Sequence, residues 1–132
     1  MINVLSVASE CAPLVKTGGL ADVVGALPAA VAAEGISMKT LLPGYPAVMA
    51  ALRTPTTVLE DPDLFGAPAR VLAEKVGDLD LLVLDAPHLY DRPGNIYLDK
   101  TGKDWPDNPE RFAALSWIAA KIGMTGVDNW MP

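Results

Sequence analysis

Residues 2–42 read INVLSVASECAPLVKTGGLADVVGALPAAVAAEGISMKTLL, and the order of patterns in this stretch decides the fold class. INVLSVA (2–8) is nearly continuous in apolar residues, as expected of a strand buried on both faces. Residues 9–19 form a loop. Leu20, Val23, Val24, Leu27 and Val31 then fall on one helical face. Pro28 lacks a backbone donor, so it either breaks or kinks this helix or opens a second one at its first turn. Gly35 suits a C-cap. ISMKTLL (36–42) reads as a second strand, closed by Pro43. Strand, loop, helix and strand in parallel arrangement make a right-handed βαβ unit.

Further along, 56–60 reads as a short strand. Residues 69–76 and 79–85 flank Gly77-Asp78 and form a hairpin. Residues 86–109 hold four prolines and two glycines. A stretch that long without regular structure inside a compact domain usually serves function. Helical spacing returns at 110–122 through Phe112, Leu115, Ile118, Ala119 and Ile122, with Asn108-Pro109 as its start. The same spacing assigns Trp117 to the core. The reading is therefore α/β, a Rossmann-like, mostly parallel sheet with an antiparallel hairpin. An alternating pattern asks for a strand after the last helix and none follows, so residues 1–132 are expected to be an incomplete domain.

The composition narrows the function. With 51% apolar and 20% charged residues the chain is globular. A net charge of −6 argues against a nucleic-acid binder or a polybasic membrane surface. It does not argue against a small anionic ligand, which one local cation can hold. The single cysteine, Cys11, forms no internal disulfide and reads as a small buried hydrophobe. The N-terminus lacks the pattern of a signal peptide, and no apolar run approaches the roughly 18 residues of a membrane span. A cytoplasmic location is expected. His88 is the only histidine and reads as structural, since it has no cluster of metal ligands around it.

Chemistry points to Lys16-Thr17-Gly18-Gly19. Ligands of open α/β sheets bind beyond the carboxyl ends of the strands, where this loop lies. A helix N-terminus offers unpaired N–H groups and partial positive charge. Gly18 and Gly19 admit a ligand oxygen close to the backbone, and Lys16 adds a full charge. The segment is neither a P-loop nor the G-x-G-x-x-G fingerprint. On these grounds alone it is either a phosphate cradle or a plain strand-to-helix turn.

SECAPLVKTGGLADVVGALP, followed in order by LLPGYP, DAPHLYDRPGNIY and DNPERFA, resembles the N-terminal end of bacterial glycogen synthases and plant starch synthases, glycosyltransferase family 5. The resemblance implies the first domain of a two-domain GT-B architecture, here truncated, with the facing C-terminal domain absent. It implies transfer of glucose from ADP-glucose to the non-reducing end of an α-1,4-glucan such as glycogen, with retention and with no metal or cofactor. It sets Lys16 beside the ADP phosphates, with Gly18 and Gly19 offering backbone N–H groups. Asp22 then either orients the loop or meets a sugar hydroxyl, or is simply a favourable charge in the first helical turn. Glu10 either contacts the glucan acceptor or holds the loop. Tyr97 matches a tyrosine near the donor site, although Ile96 stands where the family usually has proline. The second domain supplies most of the nucleotide site and the reacting centre, so this chain alone is expected to be inactive. The competing reading is a stand-alone α/β sugar- or nucleotide-binding module. Whether the parent chain continues into a second Rossmann domain separates the two.

Overall fold

A computed structural model describes residues 1–132. Five strands form one sheet in the order β1-β2-β5-β4-β3. β1 (Ile2–Val7), α1 (Gly19–Ala32) and β2 (Ile36–Pro43) are the βαβ unit, with β1 and β2 parallel and Ile2 opposite Ile36. β2 pairs in parallel with β5 (Leu79–Asp85), which places the β2-to-β5 crossover in the same parallel half. β4 (Ala67–Val76) turns into β5 through Gly77-Asp78, with Gly77 at φ 61°. Only a residue tolerant of positive φ fits that turn. β3 (Thr56–Leu64) completes the antiparallel edge and is longer than the 56–60 segment read from sequence. α4 (Asn108–Thr125) begins at the expected Asn-Pro pair. Two short helices, α2 (Pro46–Ala51) and α3 (Pro87–Tyr90), each opened by proline, were not anticipated. No helix is long and apolar enough to cross a membrane.

The core lies on β2, β4 and β5, with α4 packed on β1 and β2: Leu41, Leu42, Val71, Leu81, Leu82, Val83, Leu84, Ile118 and Ile122 are all buried. β1 departs from the expectation of a strand buried on both faces. It is the sheet's other edge, Ile2 and Val7 are exposed, and its interior positions are half-buried.

Two further corrections concern the helices. α1 runs unbroken through Pro28, whose ring is buried. Packing against the sheet outweighs the lost hydrogen bond. The buried face of α1 keeps only part of the predicted one: Val24 is buried and Val31 half-buried. Ala21, Val24 and Pro28 point inward, whereas Leu20, Val23 and Leu27 are 52%, 62% and 39% exposed. The cause is close approach. A Cβ on Gly25 would stand 2.2 Å from the carbonyl oxygen of Ala12, and the Ala12 amide donates to the Ala21 carbonyl at 2.9 Å. The loop after β1 therefore needs the small-residue face of the helix, and the larger side chains turn away. On α4 the predicted stripe holds for Leu115, Ile118 and Ile122, but Trp117 is 56% exposed and lies outside the core. Its position falls between the buried 115 and 118, and the helix presents it to solvent.

Candidate functional site

The loop between β1 and α1 is built around one buried carboxylate. Glu10 is 2% exposed. Its Oε1 accepts the amides of Thr17 at 3.3 Å and Gly18 at 3.1 Å. Its Oε2 accepts the hydroxyls of Thr17 at 2.6 Å and Tyr97 at 2.7 Å. Every neighbour donates, and no cation pairs with the group. Burial on its own would raise the Glu10 pKa. The Thr17 and Tyr97 hydroxyls and the two amides outweigh it and hold the carboxyl at about 2. Because the single Tyr97 proton goes to Glu10, Tyr97 Oη accepts from Ser9 Oγ at 2.6 Å. Burial, and then the charge of Glu10, raise the Tyr97 pKa, so the phenol remains a donor at neutral pH.

This arrangement brings together Glu10, Gly18, Gly19 and Tyr97, four of the residues singled out from sequence. The Gly18 amide is directed at Glu10, so toward a ligand Gly18 offers open space and no donor; a Cβ there meets nothing within 4 Å. Gly19 is the first residue of α1, and no side chain caps that end. The first N–H groups of the helix accordingly have no intrahelical partner. Lys16 and Asp22 stand beside this terminus, both about half exposed. Lys16 Nζ donates to both Asp22 oxygens, at 2.8 and 2.7 Å. Asp22 thus aims the ammonium group.

The segment that carries Tyr97 is fixed separately. Asn95 Oδ1 accepts the amides of Tyr97 and Leu98, a side-chain turn that does the work expected of a proline at position 96. Arg92 pairs with Asp107, and its guanidinium lies 4.9 Å from the Trp105 ring centre. Buried Arg111 donates to the carbonyls of Leu89 and Ile96 and to Asn108 Oδ1. His88 Nε2 donates to the carbonyl of Leu64, a structural position on β3. Ser9, Arg92 and Arg111 were not singled out from sequence, and Thr17 entered only as part of the Lys16–Gly19 segment, with no role of its own. One signal was available: Arg111 shares the 111, 115, 118, 122 stripe of α4, and a charge on an otherwise buried face asks for an explanation. Cys11 is buried, and burial pushes its thiol up to about 11.

Comparison with known proteins gives the family of the chain. The model of the starch synthase catalytic domain matches residues 3–132. The glycogen synthase of Paracoccus denitrificans is 61% identical over 132 residues, which are 100% of this chain and 28% of that protein. The glycogen synthase of Methylocella silvestris is 58% identical over 131 residues, covering 99% of this chain and 27% of its own length. The chain therefore spans little more than a quarter of these curated relatives. Among solved structures, the catalytic domain of starch synthase IV from Arabidopsis thaliana bound to ADP and acarbose superposes with a TM-score of 0.69 at 24% identity, over 93% of this chain and 25% of that one. The fold is thus shared with that domain, and with a family model matched along almost its whole length the chain belongs to the starch synthase catalytic domain family of glycosyltransferases.

Proposed function

We propose that this chain forms the donor-phosphate side of a glycogen synthase that moves glucose from ADP-glucose to the non-reducing end of an α-1,4-glucan, with retention of configuration. The observation that carries the reading is the uncapped N-terminus of α1 beside Lys16, on a loop clamped from beneath by buried Glu10. The glycogen synthase relatives and a structural neighbour holding ADP and acarbose support a nucleotide donor and a glucan acceptor.

The residues have distinct parts in this reading. When the glycosidic bond to ADP breaks, negative charge builds on the diphosphate. Lys16 and the free N–H groups at Gly19 and just after it stabilise that charge without reorganising, because Glu10 has already fixed the loop. Gly18 lets the phosphate approach. Asp22 positions Lys16 and gives way to the phosphate as the ammonium turns to it. Tyr97 is a positioning residue through Glu10. The reacting centre needs more chain than these 132 residues, so this chain alone transfers no glucose. Lys16→Ala in the full-length protein lowers kcat/KM for ADP-glucose more than tenfold, since a charge-assisted phosphate contact is worth about 1.5–3 kcal/mol. Unchanged steady-state kinetics in that variant would remove Lys16 from the donor site.

A further inference from the structure

Loops follow the carboxyl ends of β1, β2 and β5, the end of an α/β sheet where ligands gather. They enclose a cavity of about 190 Å³ whose wall includes Tyr45, Ala47, Tyr90, Arg92, Asn95 and Arg111. The chain has 16 acidic residues against 10 basic ones, yet two arginines and no carboxylate line this space.

Arg111 is the unusual member. It is 1% exposed and has no acidic oxygen within 4 Å. Its Nε and Nη1 are bonded, at 2.7–2.8 Å, to the carbonyls of Leu89 in α3 and Ile96 and to Asn108 Oδ1. Its Nη2 donates to nothing. The only fully sealed side-chain polar atom without a partner in the whole chain is Thr40 Oγ1, so Nη2 opens onto space, and the cavity is the space that Arg111 borders. A guanidinium withdrawn from water with no counter-charge is costly, and a bound anion relieves that cost. No wall group carries a negative charge, and among the other side chains Asn95 leaves a free donor. Arg92 is already paired with Asp107. The hydroxyl protons of Tyr45 and Tyr90 go to the carbonyls of Ser9 and Arg111. Asn95 Oδ1 is occupied by two amides, which leaves its Nδ2 to donate. The volume equals about six waters at about 30 Å³ each, room for one oxyanion group and a few attached atoms.

We propose that this cavity binds a small oxyanion, a phosphate or carboxylate group, on Arg111 Nη2 with Asn95 Nδ2, at a site that shares Val15 with the Lys16 loop but includes neither Lys16 nor the N-terminus of α1. The full-length protein carrying Lys16→Ala, which disables the donor loop, is titrated calorimetrically with inorganic phosphate and, in a second arm, with acetate. Saturable binding of at least one is expected, and the stronger arm identifies the anion class. Ala47→Leu adds three carbons to the cavity wall at an exposed helical position and weakens that binding at least tenfold while the melting temperature holds. Arg111→Lys, which keeps the charge and loses the fork, weakens it as well. Absence of saturable binding by either anion up to 20 mM (about 20-fold above a Kd of about 1 mM), or binding that Ala47→Leu leaves unchanged, overturns the proposal.

Discussion

Replacing Glu10 by glutamine isolates the charge that holds the donor loop. The side chain keeps its shape, and the carbonyl oxygen can still accept the Thr17 and Gly18 amides. The new amide nitrogen must face the Thr17 and Tyr97 hydroxyls, which then turn to accept. Four charge-assisted hydrogen bonds become neutral ones. At about 1 kcal/mol difference for each, with some recovered by rearrangement, the loss is about 3 kcal/mol. The titration gives a second route to the same figure. The folded carboxyl titrates at about 2 against a usual 4.5. Its stabilisation is therefore complete above about pH 4.5 and is lost as the pH falls toward 2. At about 1.4 kcal/mol per pH unit that interval amounts to about 3 kcal/mol. Urea unfolding of wild type and Glu10→Gln, followed by circular dichroism from pH 7 to pH 2.5, should show a stability gap of about 3 kcal/mol at neutral pH that narrows steadily below pH 4.5. A gap that stays constant across this range, or one under 0.5 kcal/mol at pH 7, would refute the electrostatic account of the clamp.

Other consequences follow from the packing of α1 and its loop. Gly25→Ala should destabilise the protein by about 1–3 kcal/mol, because the new methyl meets the Ala12 carbonyl at 2.2 Å; helix propensity alone gives the opposite sign, so the urea midpoint decides between them. Val23→Glu should alter stability by less than about 0.5 kcal/mol, whereas Val24→Ala on the buried side should cost about 2 kcal/mol; equal effects would contradict the observed rotation of the helix. Cys11 should resist alkylation at pH 8 in the folded protein and react within minutes in urea, since its buried thiol is pushed up to about 11; rapid labelling of folded protein would show that the loop opens readily.

Elements with long, regular apolar periods were readable from sequence. The βαβ unit, the hairpin at Gly77 and the last helix all emerged from spacing and turn chemistry. α2 and α3 have six and four residues, too few to show a helical period. The orientation of α1 was misread for a specific reason. Ranking residues by hydrophobicity favours Leu20, Val23 and Leu27, but contact with the Ala12 carbonyl selects the smallest face, at Ala21 and Gly25. In the candidate site, Lys16, Gly18, Gly19 and Asp22 are contiguous and conspicuous. The role of Glu10 was not legible as a single outcome, because one of its partners is near in the sequence and the other is far. Thr17 is seven residues away and Tyr97 is 87. No local pattern reports a contact across that separation, and Tyr97 stood out only through a resemblance between motifs.

That separation has a consequence during synthesis. At about 5–20 residues per second, the ribosome delivers Tyr97 several seconds after Glu10. Thr17 and Gly18 arrive almost at once, so the near half of the cluster can close while the nascent chain is still short. For those seconds one carboxylate oxygen has its full set of amide donors and the other relies on water in place of the phenol. The loop is thus assembled in two instalments, and the second comes only after β5, the strand that joins the two halves of the sheet, has been translated.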